Sequence, residues 1–90
     1  MTIEQALRRT IELVGGSQSS LWAQYEPEEI VRHLEDTLDA LATGREVDVS
    51  RLRSLFAPTG AIQDVSVDNR WGDEFLALSG IVDAFLADRH

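Results

Sequence analysis

Residues 27–44, PEEIVRHLEDTLDALATG, decide the fold class. Ile30, Val31, Leu34, Leu38 and Leu41 recur mostly at three- and four-residue steps, which gather them into one apolar stripe on a helix of 3.6 residues per turn. Pro27 suits a first helical position, where the missing amide has no acceptor to lose, and Glu26, Glu28 and Glu29 complement the positive end of the helix dipole. Gly44 supplies a residue that can turn left-handed and stop the helix. A long helix therefore starts at Pro27 and must lay its stripe against other elements.

Upstream, Thr2-Ile3-Glu4-Gln5 has capping-box spacing, and Ile3, Leu7, Ile11 and Val14, with Ala6 and Thr10 beside them, line one helical face. Gly15-Gly16 is expected to close this first helix with a left-handed cap. A polar connector, Ser17-Gln18-Ser19-Ser20, leads to Leu21, Trp22 and Tyr25, which read as a short helical turn over residues 21–26. Downstream, Asp48 or Ser50 can cap a short helix carrying Leu52, Leu55 and Phe56, which must stop before Pro58. Residues 60–72 place Ile62, Val65 and Val67 among polar residues without helical period. They are expected to form an irregular loop, with one short extended segment at most. The last helix opens near Gly72-Asp73, Asp73 capping it. Phe75, Leu78, Val82 and Phe85 recur along it, with Leu76, Ile81 and Leu86 widening the apolar face. Gly80 in its middle predicts close approach by another helix. The fold class expected is all-α: one domain over residues 1–90, a compact bundle of three to four helices with that loop before the last.

A chain of 90 residues with 43% hydrophobic and 27% charged side chains is apolar enough to fold and too short for a second core. It has no cysteine, which excludes disulfides, thiolate metal sites and cysteine nucleophiles and fits a reducing, cytoplasmic setting. No apolar run approaches the ~20 residues of a membrane-spanning helix. The formal net charge of −8 repels phosphate backbones, so neither nucleic acid nor membrane is an expected partner. A basic protein is the natural complement.

Chemistry-bearing patterns are sparse. Asp64, Ser66 and Asp68 stand at the first, third and fifth places of a calcium-type loop, but Asn69 replaces the required glycine and Phe75 the closing glutamate. Metal-dependent activity around Asp64, Asp68, Asp73 and Glu74 is accordingly the least favoured function, and no cofactor is expected. His33 lies one turn after Glu29, and a local pair with Glu29 is its expected role. Neither a nucleophile elbow nor a phosphate-binding glycine pattern occurs.

What remains is surface. Glu28, Glu29, Glu35, Asp36 and Asp39, next to Glu26, form the densest acidic stretch. Trp22, Tyr25 and Trp71 are aromatic residues of the type that anchors interfaces, and Trp71, beside Gly72 in the irregular segment, is the preferred one. Residues 52–75, LRSLFAPTGAIQDVSVDNRWGDEF, resemble a block of small bacterial helical proteins, some of them similar to immunity proteins of toxin systems. The resemblance rests on LxxLFAPTG followed by DNxWGDEF. It implies partner binding and carries over no catalytic residue.

The expected function is thus non-catalytic protein binding, as an acidic inhibitor or immunity-type partner of a basic protein. Glu28, Glu29, Glu35, Asp36 and Asp39 would make the contact, with Asp68 and Trp71 as a second patch. The alternative is a structural homodimer formed through the apolar face of the last helix.

Overall fold

A computed structural model describes residues 1–18, 25–58 and 60–88. Among these the chain forms five α-helices and no strand: α1 (Ile3–Gly15), α2 (Pro27–Thr43), α3 (Val49–Leu55), α4 (Ala61–Asp68) and α5 (Gly72–Ala87). None is long and apolar enough to cross a membrane.

The capping residues act where their chemistry requires. Thr2 Oγ1 accepts from the Gln5 amide at 3.2 Å while Gln5 Oε1 accepts from the Thr2 amide at 2.9 Å, so two otherwise orphaned donors at the start of α1 are satisfied. Pro27 opens α2, and Gly44 ends it at φ 72°, in the left-handed region. Asp48 caps α3 by accepting from the Arg51 amide at 3.0 Å. α1 differs from expectation. Gly16 ends it at φ −91°, ψ 0°, a right-handed conformation, and the Ser17 hydroxyl donates to the Leu13 carbonyl at 2.7 Å, where a left-handed cap would otherwise serve the last turn.

Helix α1 is the shared wall of the bundle, lying against α2, α4 and α5, while α2 also meets α3 and α4. Ala6, Leu7, Thr10 and Val14 are buried along it, and across from them lie Ile30 and Leu34 of α2 and Val82 of α5, all sealed from solvent. Each fully buried leucine or isoleucine contributes about 1.5–3 kcal/mol relative to exposure. The Phe56 and Phe75 rings lie nearly parallel, 7° apart with centroids at 6.3 Å, and join the end of α3 to the start of α5. Buried hydroxyls are satisfied locally: Thr10 donates to the Ala6 carbonyl and Ser66 to that of Gln63.

Two expectations change here. The bundle has five helices rather than three to four, because residues 60–72 are not an irregular loop. Ala61, Ile62, Val65 and Ser66 are its buried residues, at one-, three- and one-residue steps, and that is a helical face. Counting only the large apolar residues hid it. Ala61 and the self-satisfied Ser66 belong to the face, whereas Val67, which suggested strand alternation, is 61% exposed. The chain reverses after Asn69 through Arg70, at φ 68°, and Trp71. Asp73 does not cap α5: Trp71 holds the cap position without a side-chain bond, and Asp73 sits inside the first turn, where it acts through the dipole. The turn expected over residues 21–26 lies, for 21–24, outside the described residues. Tyr25 is half-buried, and Glu26 caps α2 by backbone alone.

Two glycines separate cleanly. At Gly60, between α3 and α4, an added Cβ would stand 2.5 Å from the Ser54 carbonyl oxygen and 2.9 Å from that of Leu55, so backbone approach requires glycine. Gly80 was expected to admit a neighbouring helix, yet no atom of another element among the described residues lies within 4 Å of a Cβ built there. Gly60→Ala should therefore destabilise the chain by about 1–3 kcal/mol. Gly80→Ala should stabilise it by about 1 kcal/mol, the difference in helix propensity. Thermal unfolding followed by circular dichroism checks the pair, and shifts of the same sign would contradict the packing described.

Candidate functional site

Helix α2 carries five carboxylates against one guanidinium, so half of the chain's net charge of −8 resides on it. At 100° per residue these carboxylates divide between two flanks of the stripe. Glu28, Glu35 and Asp39 fall on the side facing solvent, with Arg32 among them. Glu29 and Asp36 fall beside His33, on the flank toward α3. Glu28, Glu35, Asp36 and Asp39 are exposed and Glu29 is half-buried. Among the described residues only Asp39 of the five is paired, with the Arg45 guanidinium, which the left-handed turn at Gly44 swings back over the end of α2. Glu28 and Glu35, with Arg32 between them, edge a groove of about 350 Å³ that is also lined by Pro27 and Val31 of α2 and by Gly15 and Ser17 at the end of α1.

On the other flank Glu29 and Asp36 have no ion pair among the described residues, and the nearby guanidinium is committed to His33 and Asp48. Arg51 of α3 places Nη1 2.8 Å from His33 Nδ1 and 3.0 Å from Nε2, and a guanidinium can only donate, so it meets the imidazole as an acceptor. The Tyr25 ring stands edge-on to His33, with centroids at 5.8 Å and planes at 78°. His33 was expected to pair with Glu29. Arg51 takes that place because it reaches hydrogen-bonding distance from a packed neighbouring helix, and an exposed pair one turn apart offers only about 0.3–0.5 kcal/mol in competition. Around His33, Asp36, Glu46 and Asp48 with Arg45 and Arg51 line an open cavity of about 440 Å³. Its charges are mixed, and Asp48 also approaches Arg51 Nε at 3.7 Å.

The chain matches no family model, and no curated protein or solved structure is significantly similar to it. The site therefore has to be judged by its own chemistry.

The second expected patch lies at the α4–α5 corner, not on α2. Asp68 is exposed at the end of α4. Trp71 is half-buried against the core, and its indole N–H donates to Ser17 Oγ at 2.9 Å. Next to it, Asn69 Oδ1 accepts from the Gln18 amide at 2.9 Å, and its Nδ2 donates to the Gln18 carbonyl at 3.1 Å and to that of Val65 at 2.9 Å. Residues 69–71 thus fasten the corner to the segment that follows α1. The calcium-type spacing has no loop to act through: Asp64, Ser66 and Asp68 stand on α4, with Ser66 buried and oriented away from the two aspartates. Among the described residues no three His, Asp or Glu side chains are grouped to hold a metal ion. Trp22 and His90 lie outside the described residues.

Sequence reasoning did not find the partners that trim the acidic surface, Arg45 and Arg51. Arg45 had a legible signal, a basic residue just past a helix-ending glycine. Nor did it find the longest-range ion pair, in which Arg9 Nε and Nη2 reach Glu74 Oε2 at 2.5 Å and Oε1 at 3.1 Å. That pair joins α1 to α5 across 65 positions, and no local pattern announces it. The hydrogen bonds from Arg9 hold the Glu74 carboxyl below its usual range. A depressed carboxyl adds stability that is complete above the unfolded-state value, about 4.3, and is lost as pH falls through the lower folded value. The melting temperature of the parent chain should therefore fall more steeply with acidification below about pH 5 than that of Glu74→Gln. Parallel curves from calorimetry at stepped pH would show that the pair contributes nothing.

Proposed function

We propose that this chain is a non-catalytic protein-binding domain, an acidic inhibitor or immunity-type partner that docks a basic protein and acts by occluding it in the cytoplasm. The observation that carries this is the excess of carboxylate on α2, five against the single Arg32, of which only Asp39 is ion-paired among the described residues. Glu28 and Glu35 hold no side-chain hydrogen bond or ion pair among the described residues, stand two turns apart on a rigid helix, and edge a shallow groove also lined by Pro27 and Val31. Fixed, unpaired charge of one sign on a rigid element steers encounter with the opposite sign and sets register at little reorganisation cost. Glu29 and Asp36 extend the field toward α3, Asp39 ends it at Arg45, and Asp68 with the exposed edge of Trp71 gives a second point of contact at the α4–α5 corner. The resemblance of residues 52–75 to small bacterial helical proteins, some of them similar to immunity proteins, agrees with a partner-binding reading.

The alternative, a structural homodimer through the last helix, has one observation in its favour: the outer face of α5 is apolar and uncovered, with Leu76 65% exposed.

Position-matched charge reversal tests the docking reading. The chain with Glu28→Lys, Glu35→Lys and Asp39→Lys, and a control with Glu4→Lys, Glu12→Lys and Glu46→Lys, have equal net charge. Titrated with poly-L-arginine as a stand-in basic partner, the α2 variant should bind at least ~10-fold more weakly than the control, about 1.4 kcal/mol, and the gap should narrow as salt rises. Equal losses in the two variants would mean that total charge alone matters and that α2 is no docking surface.

A further inference from the structure

Three large hydrophobic side chains are exposed among the described residues, Met1 at the chain start, Val67 at 61% and Leu76 at 65%. Val67 and Leu76 are not scattered. They edge the same groove of about 230 Å³ between α4 and α5, whose base is Phe75 and Gly72. From Leu76 the apolar surface continues along the outer side of α5 through Ala77, Gly80, Ala84 and Ala87, all exposed. Since its inner side is core, α5 is apolar nearly all round, the pattern of a helix covered on both sides. No described residue covers the outer side, and the glycine at its midpoint, which the described packing does not need, leaves the backbone open there.

The border of this face decides what fits it. Asp83 and Asp88 are exposed along its two edges, Asp73 is exposed on the face itself at its N-terminal end beside the groove, and α5 carries no basic residue. A second copy would bring aspartate to aspartate in a parallel or an antiparallel pairing, and would also join two chains of charge −8. A helix with an apolar stripe and basic flanks meets every one of these features: leucine-sized side chains against Leu76 and Val67, close backbone approach at Gly80, and arginine or lysine opposite the aspartates. We infer that the outer face of α5, with the Val67–Leu76 groove at its end, is the seat for a basic amphipathic helix of the partner. This deepens the docking proposal and rests on it for the sign of the partner's charge. The acidic flank of α2 supplies attraction, and α5 supplies the dry contact that selects one partner among basic proteins.

The test uses two synthetic peptides of about five helical turns and one composition. One places leucine at three- and four-residue steps with arginine on the flanks; the other has the same residues scrambled. The parent chain should bind the amphipathic peptide at least ten-fold more tightly than the scrambled one. Leu76→Asp should erase that ratio without lowering the melting temperature, because Leu76 contributes little to the core. Gly80→Leu should erase it too, while the α2 triple reversal weakens both peptides alike and preserves the ratio. If α2 reversal changed neither affinity and the ratio persisted, the electrostatic proposal would fail and the α5 seat would stand. Equal binding of the two peptides, a ratio untouched by Leu76→Asp, or a dimer in sedimentation that Leu76→Asp dissociates would each overturn the inference.

Discussion

Burial of α1 is the constraint from which the rest of the molecule follows. A 90-residue chain cannot build two cores, so α2, α4 and α5 must all complete their burial against the one helix whose inner face, Ala6, Leu7, Thr10 and Val14, is sealed from solvent. Packing around a shared central helix leaves each outer helix with one side free. On α2 the free side is charged and on α5 it is apolar. That contrast between two outward faces, rather than any catalytic constellation, is the functional character of the surface.

The α2 face gains its character from what does not pair with it. Arg45 and Arg51 both approach α2 from the α3 side and are consumed by Asp39 and by His33 with Asp48, which leaves the outer carboxylates Glu28 and Glu35 to project their field into solvent. Arg9, which might have balanced that field, is held instead by Glu74 on the far side of α1. Among the described residues Arg9, Arg45 and Arg51 are thus engaged away from the middle of α2, which stays negative except for Arg32.

Helices α1, α2, α3 and α5 were legible because large apolar residues mark their faces and because Thr2, Pro27, Gly44 and Asp48 announce their ends through backbone chemistry that is local. Helix α4 was not, since half of its buried face is Ala61 and Ser66, residues that no count of large hydrophobic side chains includes, and Val67 added a false alternation. The acidic stretch was legible as composition, but the one neutralisation within it, of Asp39 by Arg45, depends on the chain turning back at Gly44, which is tertiary. Trp71 illustrates the same limit: the sequence shows an aromatic residue in an irregular stretch, and only the fold shows its indole N–H donating to Ser17 across the molecule. The open face of α5 lay in plain view as excess width in its apolar stripe. Only the fold shows that part of that width, from Leu76 along the outer side, has no cover among the described residues.

Backbone amide chemical shifts of the labelled chain, followed as the basic amphipathic peptide is added, test the central claim most directly, because they report each helix separately. The account predicts changes concentrated on the outer flank of α2 between Glu28 and Asp39 and on α5 from Leu76 to Ala87, with the inner face of α1 unmoved. Changes spread evenly over the acidic residues of the whole surface, or confined to the mixed-charge cavity around His33, would contradict it.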